Sequence, residues 1–188
     1  MIKVTLLGDS IRLIGYGTKV PELLGEEYEV FQPSENCRFV KYTLRGVFDW
    51  REQLKDCEVI HWNNGLWDAS VGLFDDGKPF TSEEEYVENM LRVAAELKKL
   101  APRVIFATTT PVRPDYEYGD NEIIDRYNAV LVPKLQTMGV EINDLNALVK
   151  PHVYEYIRND DKIHLSEAGI EACAKQVAEF IINHKKGF

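Results

Sequence analysis

MIKVTLLGDS, residues 1–10, reads as a buried strand that breaks into a turn. Ile2, Val4, Leu6 and Leu7 supply its apolar surface, Thr5 adds a β-branched side chain, and Gly8-Asp9-Ser10 closes it abruptly. The break leaves a hydroxyl just past the strand's carboxyl end. In open α/β sheets that end of the strands is where ligands bind, so Ser10 stands at a position suited to chemistry. Asp9 or Ser10 serving only to cap the next helix explains the same residues. A chemical role for Ser10 therefore requires partners elsewhere in the chain.

Beyond this strand the pattern alternates. Residues 11–25 combine Ile11, Leu13, Ile14, Val20, Leu23 and Leu24 with Gly15, Gly17 and Pro21, which predicts a loop and a short helix. Further strands are expected at Tyr28–Phe31, Cys57–Trp62, Arg103–Thr109 and Val140–Asn143. Helical spacing of apolar residues covers Tyr42–Leu54, the stretch from Thr81 to Leu100, and Asn121–Met138, where Pro133 predicts a kink. Leu145–Ile157 is expected to be partly helical, and Ser166–Lys186 is the expected closing helix with Ser166 as its cap. Strands alternating with helices of this length predict a parallel sheet covered on both faces. No repeat, linker or low-complexity segment interrupts the pattern, so one three-layer α/β/α domain over residues 1–188 is expected.

The bulk numbers exclude several classes of partner. A chain of 188 residues is large enough to bury roughly 70% of the surface its unfolded form exposes. Its net charge of −9 argues against nucleic acid and anionic membranes, which need a basic face. No run approaches the ~20 apolar residues that span a bilayer. A strand beginning at the amino terminus leaves no room for a signal peptide, so a cytoplasmic protein is expected. Cys37, Cys57 and Cys173 are odd in number and widely spaced, which fits reduced thiols rather than a disulfide frame or a zinc site.

Partners for Ser10 lie just before the last helix, in Asn159-Asp160-Asp161-Lys162-Ile163-His164-Leu165-Ser166. Asp161 and His164 are three apart in a loop expected on the same carboxyl face. That spacing lets the carboxylate fold back onto one ring nitrogen while the other points into a cleft. A serine hydroxyl is a weak nucleophile without such a base, so Ser10, His164 and Asp161 together meet the requirement for acyl transfer. The reaction also needs donors for an oxyanion. Candidates are the Ser10 amide, the side chains of Asn63 and Asn64, and Asn36 with the amides of Cys37 and Arg38. Asn64-Gly65 is also a good turn in its own right.

On these residues the chain resembles the SGNH (GDSL-type) hydrolase superfamily over nearly its whole length. Gly8-Asp9-Ser10 resembles the first block of that family and implies a nucleophilic Ser10. Asp161-Lys162-Ile163-His164 resembles the last and implies the acid and base. The third block departs from G-x-N-D, since Gly65-Leu66-Trp67-Asp68 has tryptophan in the asparagine position. The stretch is more similar to a branch reading N-x-G-L-H/W-D, which implies Asn63 as the oxyanion donor, beside Gly65. No clear second block is present, and Asn36 to Arg38 is the best placement. The resemblance implies a flavodoxin-like five-stranded sheet of order 2-1-3-4-5, and a serine esterase that needs no metal or cofactor. Two-step hydrolysis through Ser10 and His164 is expected to fail on acidification, because protonated imidazole cannot accept the serine proton.

For the substrate, Trp62, Trp67, Tyr116 and Tyr118 are expected in or beside the cleft, as platforms for sugar rings or flat acyl groups. Arg12 and Arg113 are candidates to hold an acidic group. The short loops leave little for a lid. Together these suggest small-molecule or oligosaccharide esters with short acyl groups, O-acetyl groups on carbohydrate among them. The competing expectation is a flavodoxin-like binding or interaction domain without catalysis. Against phosphate or flavin binding, neither a P-loop nor G-x-G-x-x-G is present.

Overall fold

Five apolar stretches form the sheet: β1 (Ile2–Leu7), β2 (Tyr28–Phe31), β3 (Val59–Asn63), β4 (Arg103–Ala107) and β5 (Glu141–Asn143). The computed structural model describes residues 1–183. All four pairings are parallel and the strand order is β2-β1-β3-β4-β5, as the resemblance implies. Register aligns Val4 with Val30 on one side and Val59 on the other, so β1 and β3 are buried on both faces. Parallel neighbours need crossover connections, and the helices supply them. These are α1 (Ser10–Leu13), α2 (Val20–Leu24), α3 (Val40–Asp49), α4 (Arg51–Leu54), α5 (Glu83–Leu100), α6 (Asn121–Thr137), α7 (Leu145–Val149), α8 (Val153–Tyr156) and α9 (Glu167–Asn183). Helices α3, α5 and α6 pack together as one layer; α2, α7, α8 and α9 pack together as the other. Among the described residues no helix is long and apolar enough to cross a membrane.

The order of the strands places the site. From β1 the chain first adds β2 on one side, then crosses to add β3 on the other. That reversal opens a crevice at the carboxyl ends of β1 and β3, the place where doubly wound sheets bind ligands.

Local chemistry explains the helix ends. Ser82 caps α5 by accepting the Glu85 amide at 3.3 Å, and Glu83, Glu84 and Glu85 complement the dipole of that end. Ser166 caps α9, its hydroxyl accepting the Gly169 amide at 3.2 Å. The helix expected over 42–54 is two, broken at Trp50, and the first starts earlier, at Val40. The early start has a distant cause: the buried carboxylate of Asp68 accepts the Val40 amide, a cap supplied from another loop. Helix α6 continues through Pro133, and of the closing helix expected to Lys186, residues 184–186 lie outside the described residues.

Two core residues correct the sequence reading or add to it. Trp62 is wholly buried in β3 against Phe106, ring centroids 5.0 Å apart, so it is a core residue and no part of the cleft. His61, its neighbour, faces the opposite layer, edge-on to Tyr16 at 5.5 Å and 3.2 Å from the Asn143 amide nitrogen. Burial, with the charge of Arg103, drives its pKa down to about 3, so the imidazole is neutral.

Candidate active site

The turn after β1 is built around Asp9. Its Oδ1 accepts the Ile11 amide at 2.9 Å, which makes it the N-cap of α1 and places Ser10 as the first helical residue. The same Oδ1 accepts Nδ2 of Asn63 at 2.7 Å, and Oδ2 is buried without a partner. Burial lifts the carboxyl to about 6; the Ile11 amide, the Asn63 amide and the charges of Arg12 and His164 hold it from rising further. Gly8 is required here, because a Cβ on it would stand 2.0 Å from Oδ1 of Asn63.

Arg12 is a structural residue, not a substrate anchor. Its buried guanidinium donates to the carbonyls of Pro33 and Glu35 at 2.8 Å and of Gly8 at 3.1 Å. It thereby staples the loop after β2 to the turn that carries Ser10. Arg113 is committed in the same way, to Ile157 and Tyr154 carbonyls at 3.1 and 2.7 Å and to Asn159 at 3.0 Å. The buried Arg12 guanidinium is not left for an acidic group.

Asp161 and His164 meet as their spacing predicts. Asp161 Oδ1 accepts the amides of Ile163 and His164 at 3.1 and 3.0 Å, and Oδ2 lies 3.0 Å from His164 Nδ1. Lys162, with φ +65°, makes the tight turn between them. Burial works to raise the Asp161 carboxyl, but the two amides and the ring together outweigh it and hold it below the ordinary value. An ionised carboxylate only accepts, so Nδ1 carries the hydrogen and Nε2 is left as the acceptor. The loop is clasped at its base by the Ile157–Leu165 bridge and by the Arg158 amide on the His164 carbonyl at 2.8 Å.

Ser10 and His164 line one cavity of about 310 Å³. Trp67, Tyr116 and Tyr118 line it too, as expected, and Leu66, Ser70, Leu73, Phe80 and Ile163 complete it. The last five were missed from sequence. For Leu73 a signal exists in Leu73-Phe74 between Gly72 and Asp75-Asp76-Gly77, an apolar pair in an otherwise polar turn. The loop after β3 is longer than expected and folds over the site, with Val71 donating to the Tyr118 carbonyl at 3.2 Å and Phe80 to Ser70 at 2.8 Å. On its other side His164 borders a groove of about 620 Å³ of mixed lining, with Arg158, Asn159, Asp160 and Glu167 beside Ile14, Leu165 and Ile170.

The oxyanion candidates fare unequally. The Ser10 amide has no partner among the described residues. Asn63, at the end of β3, has its Oδ1 on the Tyr16 hydroxyl at 2.7 Å and one Nδ2 hydrogen on Asp9, leaving the second. Tyr16, unremarked in the sequence, thus decides which way the Asn63 amide is turned. Asn64 is buried, with Nδ2 on the Arg38 carbonyl at 2.9 Å, so its amide holds two loops together. Asn36 Oδ1 accepts the Arg38 amide at 2.8 Å and the Cys37 amide goes to the Gly8 carbonyl at 3.1 Å, so neither backbone donor is spare. Gly65 is a packing requirement: φ is +139° and a Cβ would stand 2.0 Å from Thr109 Oγ1. Among the described residues no group of three or more His, Cys, Asp or Glu lies together as metal ligands, and the three thiols are free and buried.

No family model matches the sequence, and a search of curated proteins returns no match. Solved structures do match. The chain superposes on a lipase/acylhydrolase from Enterococcus faecalis with TM-score 0.81 at 19% identity, covering 98% of this chain and 97% of that one. The fold is that of ester hydrolases. A catalytic mutant of an acetylxylan esterase from Geobacillus stearothermophilus gives TM-score 0.78 at 17% identity, with 96% and 94% covered. A member of the lipolytic G-D-S-L family from Veillonella parvula gives 0.75 at 16%, with 95% and 97% covered. These α/β/α hydrolases match this chain nearly end to end, with no large insertion on either side.

Proposed function

We propose that the protein is a serine ester hydrolase in which Ser10 is the nucleophile, His164 the general base and Asp161 the residue that orients the base. The observation that carries this is the Asp161–His164 pair, bonded at 3.0 Å with Nε2 left free, on the wall of the cavity that Ser10 also lines. Ser10 Oγ attacks the ester carbonyl and passes its proton to Nε2. Asp161 stabilises the imidazolium that forms. The Ser10 amide and the second Nδ2 hydrogen of Asn63 are the donors assigned to the oxyanion. His164 then protonates the departing alcohol, and water repeats both steps on the acyl-enzyme. An O-acylated carbohydrate or other small hydroxylated ester is the proposed substrate class; acetylxylan esterases among the structures of like fold support it.

Fluorophosphonate labelling tests the proposal. Wild type should be labelled, Ser10→Ala should not, and His164→Ala should react far more slowly. A folded wild type that takes no label points instead to a binding or interaction domain.

A further inference from the structure

We infer that the group carried on Ser10 in the acyl-enzyme is an apolar chain several carbons longer than acetyl. The inference rests on the triad reading above. Two recesses meet at His164 and they differ in kind. Ser10 lines only the smaller, whose walls are mostly apolar: Leu66, Trp67, Leu73, Phe80 and Ile163, with Ser70 and the rings of Tyr116 and Tyr118. The larger is bounded by Arg158, Asn159, Asp160 and Glu167 as well as by Ile14, Leu165 and Ile170, so it alone offers charged and amide partners. An acyl-enzyme holds its acyl group on Ser10 Oγ, which confines that half of the substrate to the recess Ser10 lines. The alcohol half must only come within reach of His164, which returns a proton to its oxygen, and His164 lines both.

The apolar recess is a poor home for a polar group. The hydroxyl of Ser70 is already spent on the Leu66 carbonyl at 2.7 Å. Beyond the Tyr116 and Tyr118 hydroxyls, a hydroxylated chain placed there would lose its water without replacement partners on the Leu, Phe and Ile walls. At about 310 Å³ the recess is near the lower bound for pockets that hold whole drug-sized ligands. An acetyl methyl leaves most of it unfilled, whereas an acyl chain of about four to eight carbons buries each added methylene against those walls. In this the inference departs from the short-acyl expectation. The walls are held in place by backbone bonds: Phe80 and Thr81 donate to the Ser70 and Asp68 carbonyls at 2.8 and 3.0 Å, which turns the segment back over the site.

The test is kcat/KM for glycerol monoesters of acetate, butyrate, hexanoate and octanoate, beside benzyl acetate and fluorophosphonate labelling of the same preparation. The specificity constant should rise about three- to fourfold per methylene, on the order of a hundredfold from acetate to hexanoate. Leu73→Ser and Phe80→Ser should each shrink the hexanoate-to-acetate ratio severalfold. Phe74→Ser, on the same exposed segment outside the recess, should leave that ratio as it is. A flat or falling acyl series from a protein whose Ser10 is labelled overturns the inference and leaves the triad standing. So does a preference shown only for benzyl over glyceryl acetate, which would make the recess an alcohol site. Absence of both labelling and hydrolysis removes the triad and the inference with it.

Discussion

Replacing Asp68 by asparagine exchanges a buried, titrating group for a neutral one of the same shape. In the wild type the Asp68 carboxylate accepts the Val40 amide at 3.2 and 3.1 Å and the Thr81 hydroxyl at 2.7 Å. Burial is the largest influence on it and lifts its pKa from 3.8 to about 7, against the pull of those two donors. In the unfolded chain the same group ionises at its ordinary value. Below that value both states hold the proton and the carboxyl imposes no charge penalty. As the pH rises to and through about 7, the unfolded state gains a hydrated charge and the folded state a buried one, so stability is lost. At about 1.4 kcal/mol per unit between the two values, the loss is complete near pH 8 and amounts to about 4 kcal/mol. Asparagine does not titrate. Urea unfolding of both proteins between about pH 4 and about pH 8 should therefore show the stability of Asp68→Asn minus that of wild type climbing by about 4 kcal/mol, with unchanged m-values. Asp9, whose raised carboxyl is common to both proteins, cancels from the difference to first approximation. A difference that is independent of pH, or that falls as pH rises, refutes the reasoning.

Other substitutions probe the site and its supports. Asp161→Asn should lower kcat on the order of 10³–10⁴-fold with KM little changed, because the amide can hold the ring by the wrong tautomer; steady-state kinetics on any accepted ester reads this. Tyr16→Phe should cost about 1–3 kcal/mol by leaving the buried Asn63 Oδ1 without its donor. It should also depress kcat more than KM if Asn63 serves the oxyanion, whereas an unchanged kcat removes Asn63 from that role. Arg12→Leu leaves the Pro33, Glu35 and Gly8 carbonyls without their shared donor and should cost upwards of about 3 kcal/mol in thermal or chemical unfolding.

The sheet and the Asp161–His164 loop were legible because they depend on local signals. A continuous apolar run ending in glycine marks a buried parallel strand, and D-x-x-H before a capped helix marks a loop that can fold on itself. What was not legible depends on contacts between distant segments. Nothing within Gly65-Leu66-Trp67-Asp68 shows that Asp68 will cap a helix beginning at Val40, or that this will start the helix two residues early. Arg12 reads as a charged residue near a nucleophile, and only the path of the loop at 33–37 shows its guanidinium spent on carbonyls. Trp62 sits one residue from the end of its strand, and the alternation of a strand buried on both faces does not distinguish a cleft wall from the core. Asn64 has the right chemistry for a donor, yet its Nδ2 is committed to the Arg38 carbonyl, whereas Asn36 commits only its Oδ1, to the Arg38 amide.

If His164 is the base proposed for Ser10, the clasped loop that holds Asp161 and His164 also sets when the serine becomes reactive. Ser10 is synthesised well before His164, its proposed base, an interval on the order of ten seconds at ordinary elongation rates. Throughout it the hydroxyl has nothing to take its proton, and β1 has its partner β2 before β3 arrives to complete the central pairing. On the proposed roles, nucleophilicity at Ser10 awaits the docking of this loop. The rate at which a refolding sample acquires label at Ser10 becomes a clock for docking of the last loop, read separately from formation of the sheet.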